Sequence, residues 1–563
     1  LFPALLISCV AVAQISTGTL SGSITDPTGA AIPGASLRLR NLETGDSLTW
    51  VSNELGLYKV PFLPSGSYSV SVNVQGFKTW ETEPIEIVVG KEAVVDATLS
   101  IGDAVESVKV ESTPALVESA TAQASVSFGT EKILRLPRLS TGPDRLALLA
   151  PGIAQTGGNV ADNGAAFSAN GQRPRSNGFL LNGQDNTHRI PGGPRFLFGV
   201  IEALSEFHII TNQFGAEYGI AQGSIVNVIT RGGSNHFHGI ANWLHRNDAH
   251  LTALTNLQRR AGASTPPKFI ENRYGATLGG PIKKDKAFFF VYFDAQTARR
   301  DLRAEATPSQ LTPTEQGLRT LGEAFPNSNT VAALRRHGPL TRQEGNPEFL
   351  PASIRLDTLR SPAGSPVSVQ VGRLVRYYKA PIDTLHAGAR ADLELTARNR
   401  LNVGYLHRES DTQNAAGMAI TGYVVHARTP MRSAAATWTR IVSPALVNEA
   451  RFGYDFDVNE FADPSGSPYD QMGKNISEFG PPANYLGFGL PNNYPQVSRQ
   501  NSVQAADNVS HHAGRHALKY GFQWNRLWSD VGSRAFYNGQ FSFGAFQDFV
   551  DNRPSALNGV DGP

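Results

Sequence analysis

The stretch that decides the fold is Ala450-Arg451-Phe452-Gly453-Tyr454-Asp455-Phe456-Asp457-Val458, in which apolar and polar or small residues alternate without a break. A period of two places successive side chains on opposite faces of an extended strand. Two other runs repeat the pattern. Leu518, Tyr520, Phe522 and Trp524 alternate with Lys519, Gly521 and Gln523, and Leu401, Val403 and Tyr405 alternate with Asn402 and Gly404. One wet face and one aromatic face on several strands is what a β-barrel with a hydrophilic bore and a lipid-facing exterior requires. Backbone groups facing hydrocarbon must all be paired, so such a sheet has to close.

Composition agrees. The 563 residues carry 55 Gly but 17% charged residues, below the ~25% of ordinary soluble domains. Lys and Arg number 50 against 48 Asp and Glu, which argues against a nucleic-acid binder. No apolar run approaches the ~18–20 residues of a membrane-spanning helix, and mean hydropathy is -0.23. A helical membrane protein is excluded; a membrane β-barrel is not.

Leu1 to Ala13 is mostly apolar, and Ala11-Val12-Ala13 before Gln14 has the small-x-small form of a signal-peptide cleavage site. A truncated signal peptide over 1–13 is expected; Leu6-Ile7-Ser8-Cys9 also fits a lipoprotein cleavage pattern, and a buried N-terminal strand is the plain alternative. Cys9 is the single cysteine, so disulfides and Cys-based zinc sites are not expected in the mature chain.

Residues 15–100 form short alternating strands, such as Ser36-Leu37-Arg38-Leu39-Arg40 and Tyr68-Ser69-Val70-Ser71-Val72-Asn73-Val74. The turns Asp26-Pro27-Thr28-Gly29, Ile32-Pro33-Gly34 and Leu63-Pro64-Ser65-Gly66 separate them, and the spacing predicts a β-sandwich. Gly18 to Gly22, Gly34 to Leu37, Gly56 to Val60 and Leu63 to Tyr68 resemble the carboxypeptidase regulatory-like domain. The resemblance implies a transthyretin-like sandwich without a catalytic role.

Val105-Glu106-Ser107-Val108-Lys109-Val110-Glu111 alternates and lies between Gly102 and Pro114. An extended segment of this kind can add to the edge of a partner's sheet. It resembles the energy-coupling box of TonB-dependent outer-membrane receptors; a plain linker or a last sandwich strand are the structural alternatives. Residues 112–235 suggest a compact mixed α/β unit, with a helix over Asp144–Leu149. The order of Phe167-Ser168-Ala169-Asn170-Gly171, Phe179-Leu180-Leu181-Asn182-Gly183, Phe214 to Gly219 and Ile225 to Asn235 resembles the plug domain of those receptors. Arg231-Gly232-Gly233-Ser234-Asn235 with His238-Gly239 resembles the plug-to-barrel junction of their Oar-like group. Arg173, Arg175, Asn182, Gln184, Asp185 and Asn186 are candidate plug–barrel contacts, because polar side chains there would face a hydrophilic wall; ordinary loop polarity is the alternative for each.

Tyr274 to Tyr292 resembles an Oar-like barrel hairpin, and its run Phe288-Phe289-Phe290-Val291-Tyr292 is expected at a membrane-interface girdle. Residues 299–384, with nine prolines, suggest one long irregular external loop with a short helix near Val331–Leu334; residues 461–500 suggest a second. The stretch 236–563 has room for roughly ten strands, whereas transporters of this kind have about 22. An incomplete barrel and a C-terminally truncated chain are therefore expected.

No HExxH, CxxC, P-loop or GxSxG motif occurs, so no enzyme activity, catalytic residue or cofactor is expected. His511, His512 and His516, and His236 with His238, lack carboxylate company and are taken as turn residues, with no metal site expected. The fold class expected is mainly β: sandwich, small mixed α/β plug, incomplete antiparallel transmembrane barrel. What the resemblance implies is an outer-membrane receptor of a Gram-negative bacterium that imports an extracellular solute. Its partners would be a periplasmic TonB-type energy-transducing protein and outer-membrane lipid, with no nucleic acid. Protein or peptide cargo, siderophores and plant-derived carbohydrates all remain open as solutes. A structural or adhesive surface protein without transport is the rival, and a soluble secreted multi-sandwich protein a third reading.

Overall fold

The computed structural model describes residues 17–102, 107–110, 122–136, 143–156, 167–189, 193–196, 199–219, 221–249, 253–254, 256, 259, 266, 268–306, 310–340, 347–413, 426–462, 478–480, 485–488, 496–533 and 540–558. The expected signal peptide, and Val105, Glu106 and Glu111, lie outside the described residues.

The first unit is a two-layer sandwich of β1 (Gly18–Thr25), β2 (Ser36–Asn41), β3 (Ser47–Val51), β4 (Leu57–Leu63), β5 (Gly66–Asn73), β6 (Thr79–Thr82), β7 (Ile85–Ile87), β8 (Glu92–Val94) and β9 (Ala97–Thr98). One layer is β4-β1 with β8 and β9 parallel to β1; the other runs β3-β2-β5-β6, with β7 also on β5. Alternation is obeyed residue by residue: along β2, Leu37 and Leu39 are buried while Ser36, Arg38 and Arg40 are exposed. Trp50, Val60, Val70 and Val72 complete the core. A further strand, β10 (Ser107–Val110), lies parallel to β6 with Val108 opposite Trp80, at the edge of the second layer.

The second unit is a five-stranded mixed sheet. It contains β11 (Ala124–Gly129), α1 (Thr130–Arg135), β12 (Ile153–Gln155), β13 (Phe167–Ala169), β14 (Gly178–Leu181), β15 (Gln184–Asp185), β16 (Leu204–Asn212) and β17 (Ile225–Thr230). The sheet order is β11-β16-β17-β14-β15, with β14 and β17 parallel and β12-β13 a separate pair. The helix expected over Asp144–Leu149 is a 3-10 helix, Pro143–Leu149. Asn182 (φ 50°) and Gly183 (φ 74°) form the two-residue turn of the β14–β15 hairpin, and positive φ at both positions is what Asn-Gly tolerates best.

The third unit is a curved antiparallel sheet with nine long strands among the described residues: His238–Asn247, Phe269–Lys283, Ala287–Glu305, Ile382–Thr396, Asn399–Gln413, Met431–Ser443, Leu446–Ala462, Gln496–Ala513 and His516–Ser533. Each pairs with its sequence neighbour, apart from the long connections. Phe452 is 53% exposed, Tyr520 52% and Phe522 50%, whereas Arg451, Asp455 and Asp457 on alternate positions are buried. This is the inverse of a soluble sheet, and it is the arrangement a lipid solvent selects. The second unit sits against the polar, inward face.

Two expectations need correction. Every second ring of the 288–292 run turns inward: Phe288, Phe290 and Tyr292 are buried, and Phe290 and Tyr292 join the core of the second unit with Phe196, Ile201 and Leu406. Strand alternation cannot place consecutive rings on one face, so the run is not a single girdle. Residues 299–384 are not an irregular loop. The strand Ala287–Glu305 runs on to pair with Leu374–Lys379. Beyond it, helices Glu315–Ala324 and Asn329–His337, N-capped by Thr314 and Ser328, pack on a small sheet of Thr312–Pro313, Pro366–Gly372 and Arg355–Arg360. Leu321, Val331, Val369 and Val371 share a core with Phe488 and Phe549 from two later connections. The prolines punctuate: Pro326 and Pro339 follow helix ends, and Pro366 opens a strand.

The sandwich docks at the opposite end, where the connections between barrel strands are short. Asn235 N donates to Glu43 O (3.1 Å), Asn53 Nδ2 donates to Gly514 O (3.0 Å), and Asp46 pairs with Arg400. Barrel residue Val447 is buried in the sandwich core cluster.

Candidate functional site

The site is the polar seam between the second unit and the barrel wall. The tight Asn182-Gly183 turn projects the β14–β15 hairpin into the wall. Gln184 Nε2 donates to Phe452 O (3.0 Å). Asp185 N donates to Gln504 Oε1 (2.9 Å), and Gln504 Nε2 donates back to Asp185 O (3.1 Å). Asn525 Nδ2 reaches Asp185 Oδ2 at 3.2 Å. Gly453 leaves the space: a Cβ there would lie 2.1 Å from Gln184 Oε1.

Charge is distributed by a simple rule. Wall arginines cap main-chain carbonyls of the second unit: Arg451 Nη1 donates to Gly183 O (2.8 Å), Arg390 Nη1 to Thr230 O (2.9 Å), and Arg273 to Gly199 O. Each is balanced by a carboxylate of the wall, respectively Glu449, Asp392 and Asp294. Wall aspartates in turn face His188 and Arg195 of the second unit. His188 Nε2 lies 3.0 Å from Asp457 Oδ2, and Arg195 lies 3.4 Å from both Asp455 and Asp457. Ser502 adds a bond to Arg195, and Lys519 Nζ meets Glu217 Oε1 at 2.8 Å.

Buried charges persist only when paired, because desolvation costs several kcal/mol per ion. A seam made of such pairs gains little net energy and can be rehydrated, unlike an apolar core. A narrow cavity of about 30 Å³ lies in it, lined by Asn182, Gln184, Asn186, Arg390, Ser433 and Asp455 among others. Leu181, Phe290, Tyr292 and Leu406 line it as well, and it has room for a water molecule or two.

Of the six residues singled out from sequence, Gln184 and Asp185 bond the wall directly. Asn182 and Asn186 line the cavity while bonding within their own unit, to Thr230 and to Phe196. Arg173 and Arg175 stand exposed around the 3-10 turn Pro174–Ser176. His188, Arg195, Arg273, Arg390 and Gln504 were not foreseen. Asp455, Asp457 and Arg451 belong to the polar half of the decisive alternation, which was the available signal. Ser107–Val110 lies on the sandwich edge. Among the described residues no group of three His, Cys, Asp or Glu side chains is placed to hold a metal.

At the sandwich face of the second unit, Glu206 Oε2 accepts from Val89 N (3.1 Å), and burial pushes its carboxyl up to about 7. Beside it, burial and then the charge of Lys91 push His208 down to about 3.

Comparison with known proteins gives two family matches: residues 229–561 to the outer membrane beta barrel domain and residues 19–100 to the carboxypeptidase regulatory-like domain. The chain is 29% identical over 261 residues to the TonB-dependent transporter Oar of Myxococcus xanthus, a match covering 44% of this chain and 23% of that protein. Solved structures with a similar arrangement include the outer membrane transporter YddB from Escherichia coli (12% identity, TM-score 0.46, covering 75% of this chain and 50% of that one). A mutant of the ferric enterobactin receptor PfeA from Pseudomonas aeruginosa, solved with enterobactin, is another (14% identity, TM-score 0.43, 73% and 50%). The siderophore receptor PirA from Acinetobacter baumannii is a third (13% identity, TM-score 0.32, 72% and 57%). The chain thus spans under a quarter of the curated relative's length and about half that of the solved structures.

Proposed function

From a chain that belongs to the outer membrane beta barrel domain family, we propose an energy-coupled receptor of the TonB-dependent kind, in which the second unit is the plug. An extracellular solute enters from the side of the long connections. The plug fills the bore at rest. A periplasmic TonB-type protein pairs with the segment around Val105–Glu111 and pulls, the polar seam rehydrates, and the solute passes. The similarity to the transporter Oar supports this reading, and the observation that carries it is the seam itself. Beside the apolar patch of Phe290, Tyr292 and Leu406, the wall offers ion pairs and carbonyl caps, and that polar part of the contact can exchange its partners for water.

The test is deletion of residues 104–111 from the full-length protein. Binding of the purified periplasmic domain of the TonB-type partner should be lost while barrel assembly is unchanged. Equal binding by the deletion variant would overturn the coupling role. Absence of binding by the intact protein would favour the rival reading, a structural or adhesive surface protein.

A further inference from the structure

We propose that the N-terminal sandwich is a second closure in series with the plug: it seals the short-turn mouth of the barrel and is the first element displaced when the coupling segment is pulled. The proposal rests on the coupling role given above to residues 105–111.

The seal is a built interface. The turn after β2 lodges at the junction where plug becomes barrel, with Asn235 N donating to Glu43 O and Asn235 Nδ2 to Thr44 O. Gly45 has φ 72°, and a Cβ there would lie 2.5 Å from Asp285 Oδ1, so only glycine admits this approach. Asp46 reaches Arg400, whose Nε also meets Glu394 Oε2 at 3.0 Å. Farther round the rim, Asn53 holds Gly514. Between these points Val447, on the inward-facing parity of its strand, is 2% exposed because the sandwich covers it. A solute that had passed the plug would meet this layer.

The order of loading follows from chain lengths. β10 is hydrogen-bonded to β6 of the sandwich over four residues. Upstream, Ile101 is bridged to Phe77, with five residues between it and Ser107. Downstream, 13 residues separate Val110 from β11 of the plug. A connection of that length can reach up to about 45 Å before it draws taut. A pull applied at β10 therefore loads the sandwich first. The sandwich holds the rim by hydrogen bonds, one ion cluster and a small apolar contact at Val447, the kind of modest, mixed interface between domains that opens and closes.

Two measurements on the full-length protein test this in a Cys9→Ser background. In the first, Val447→Cys is reacted with a small maleimide at rest. A rate at least 100-fold below that in urea is expected, and a rate within tenfold of it would overturn the seal. In the second, the partner's purified periplasmic domain is attached to a force cantilever and the protein is pulled, with and without a Glu43→Cys/Asn235→Cys cross-link. The first rupture should precede plug unfolding, and oxidation should at least double its force, reversibly on reduction. Attachment with the same first rupture in both redox states overturns the proposal alone. No attachment to the wild type overturns the coupling role on which it rests.

Discussion

His188 of the plug and Asp457 of the barrel wall meet at 3.0 Å with their side chains almost wholly out of contact with solvent, and Arg195 shares the same carboxylate. Asp457→Asn keeps the shape and removes the charge that Arg195 faces. Breaking one member of a buried pair leaves an uncompensated charge, at a cost of roughly 3 kcal/mol. Amide exchange over residues 184–189 should accelerate by about 100-fold. Unchanged exchange would show that the seam does not seat the plug.

Gly453 and Gly404 both stand on inward-facing positions of the wall, but they differ in what they face. A Cβ at 453 would collide with Gln184 Oε1, whereas at 404 its nearest neighbour is Ala389 O at 3.9 Å. Gly453→Ala should displace the hairpin and cost about 1–3 kcal/mol of plug seating. Gly404→Ala should leave it unaltered, as read by protection of the Asp185 amide.

The pH response of the sandwich–plug contact contains two opposed contributions. Glu206, raised from 4.5 to about 7, contributes stability that is present below 4.5 and lost as pH rises toward 7. His208, lowered from 6.5 to about 3, has the reverse sign: its contribution is full above 6.5 and lost as pH falls toward 3. Between 4.5 and 6.5 the two slopes cancel. Glu206→Gln should unmask the histidine, so that the contact weakens on acidification below 6.5 by on the order of 1 kcal/mol per pH unit. Calorimetry across pH 5–8 would read this, and a flat profile in the variant would refute it.

Phe452 lies on the outer face of the wall and is 53% exposed. Phe452→Arg should cost about 2–4 kcal/mol of insertion near the bilayer midplane. Insertion into phospholipid vesicles followed against urea would show the loss; an equal midpoint would mean this face does not meet hydrocarbon.

Some of this was legible residue by residue. The alternation at 450–458 specified an antiparallel wall with one wet face, because strand geometry forces period two on any such segment. The regular turns of 15–100 marked a sandwich. Proline counting misled at 299–384, because prolines punctuate elements as readily as they prevent them.

By itself the amino-acid sequence determined which side chains share a strand face and where strands turn, since those depend on neighbours a few residues apart. Only the tertiary structure decided that Asp185 meets Gln504, that His188 and Arg195 share Asp457, that Phe290 and Tyr292 face the plug rather than lipid, and that Ser107–Val110 lies along the sandwich edge. Most of these partners lie some hundred to more than three hundred residues apart, and periodicity holds no record of partners at that range. They are selected when the plug is enclosed and each buried charge must find its counter-charge, a condition on the whole assembly rather than on any segment.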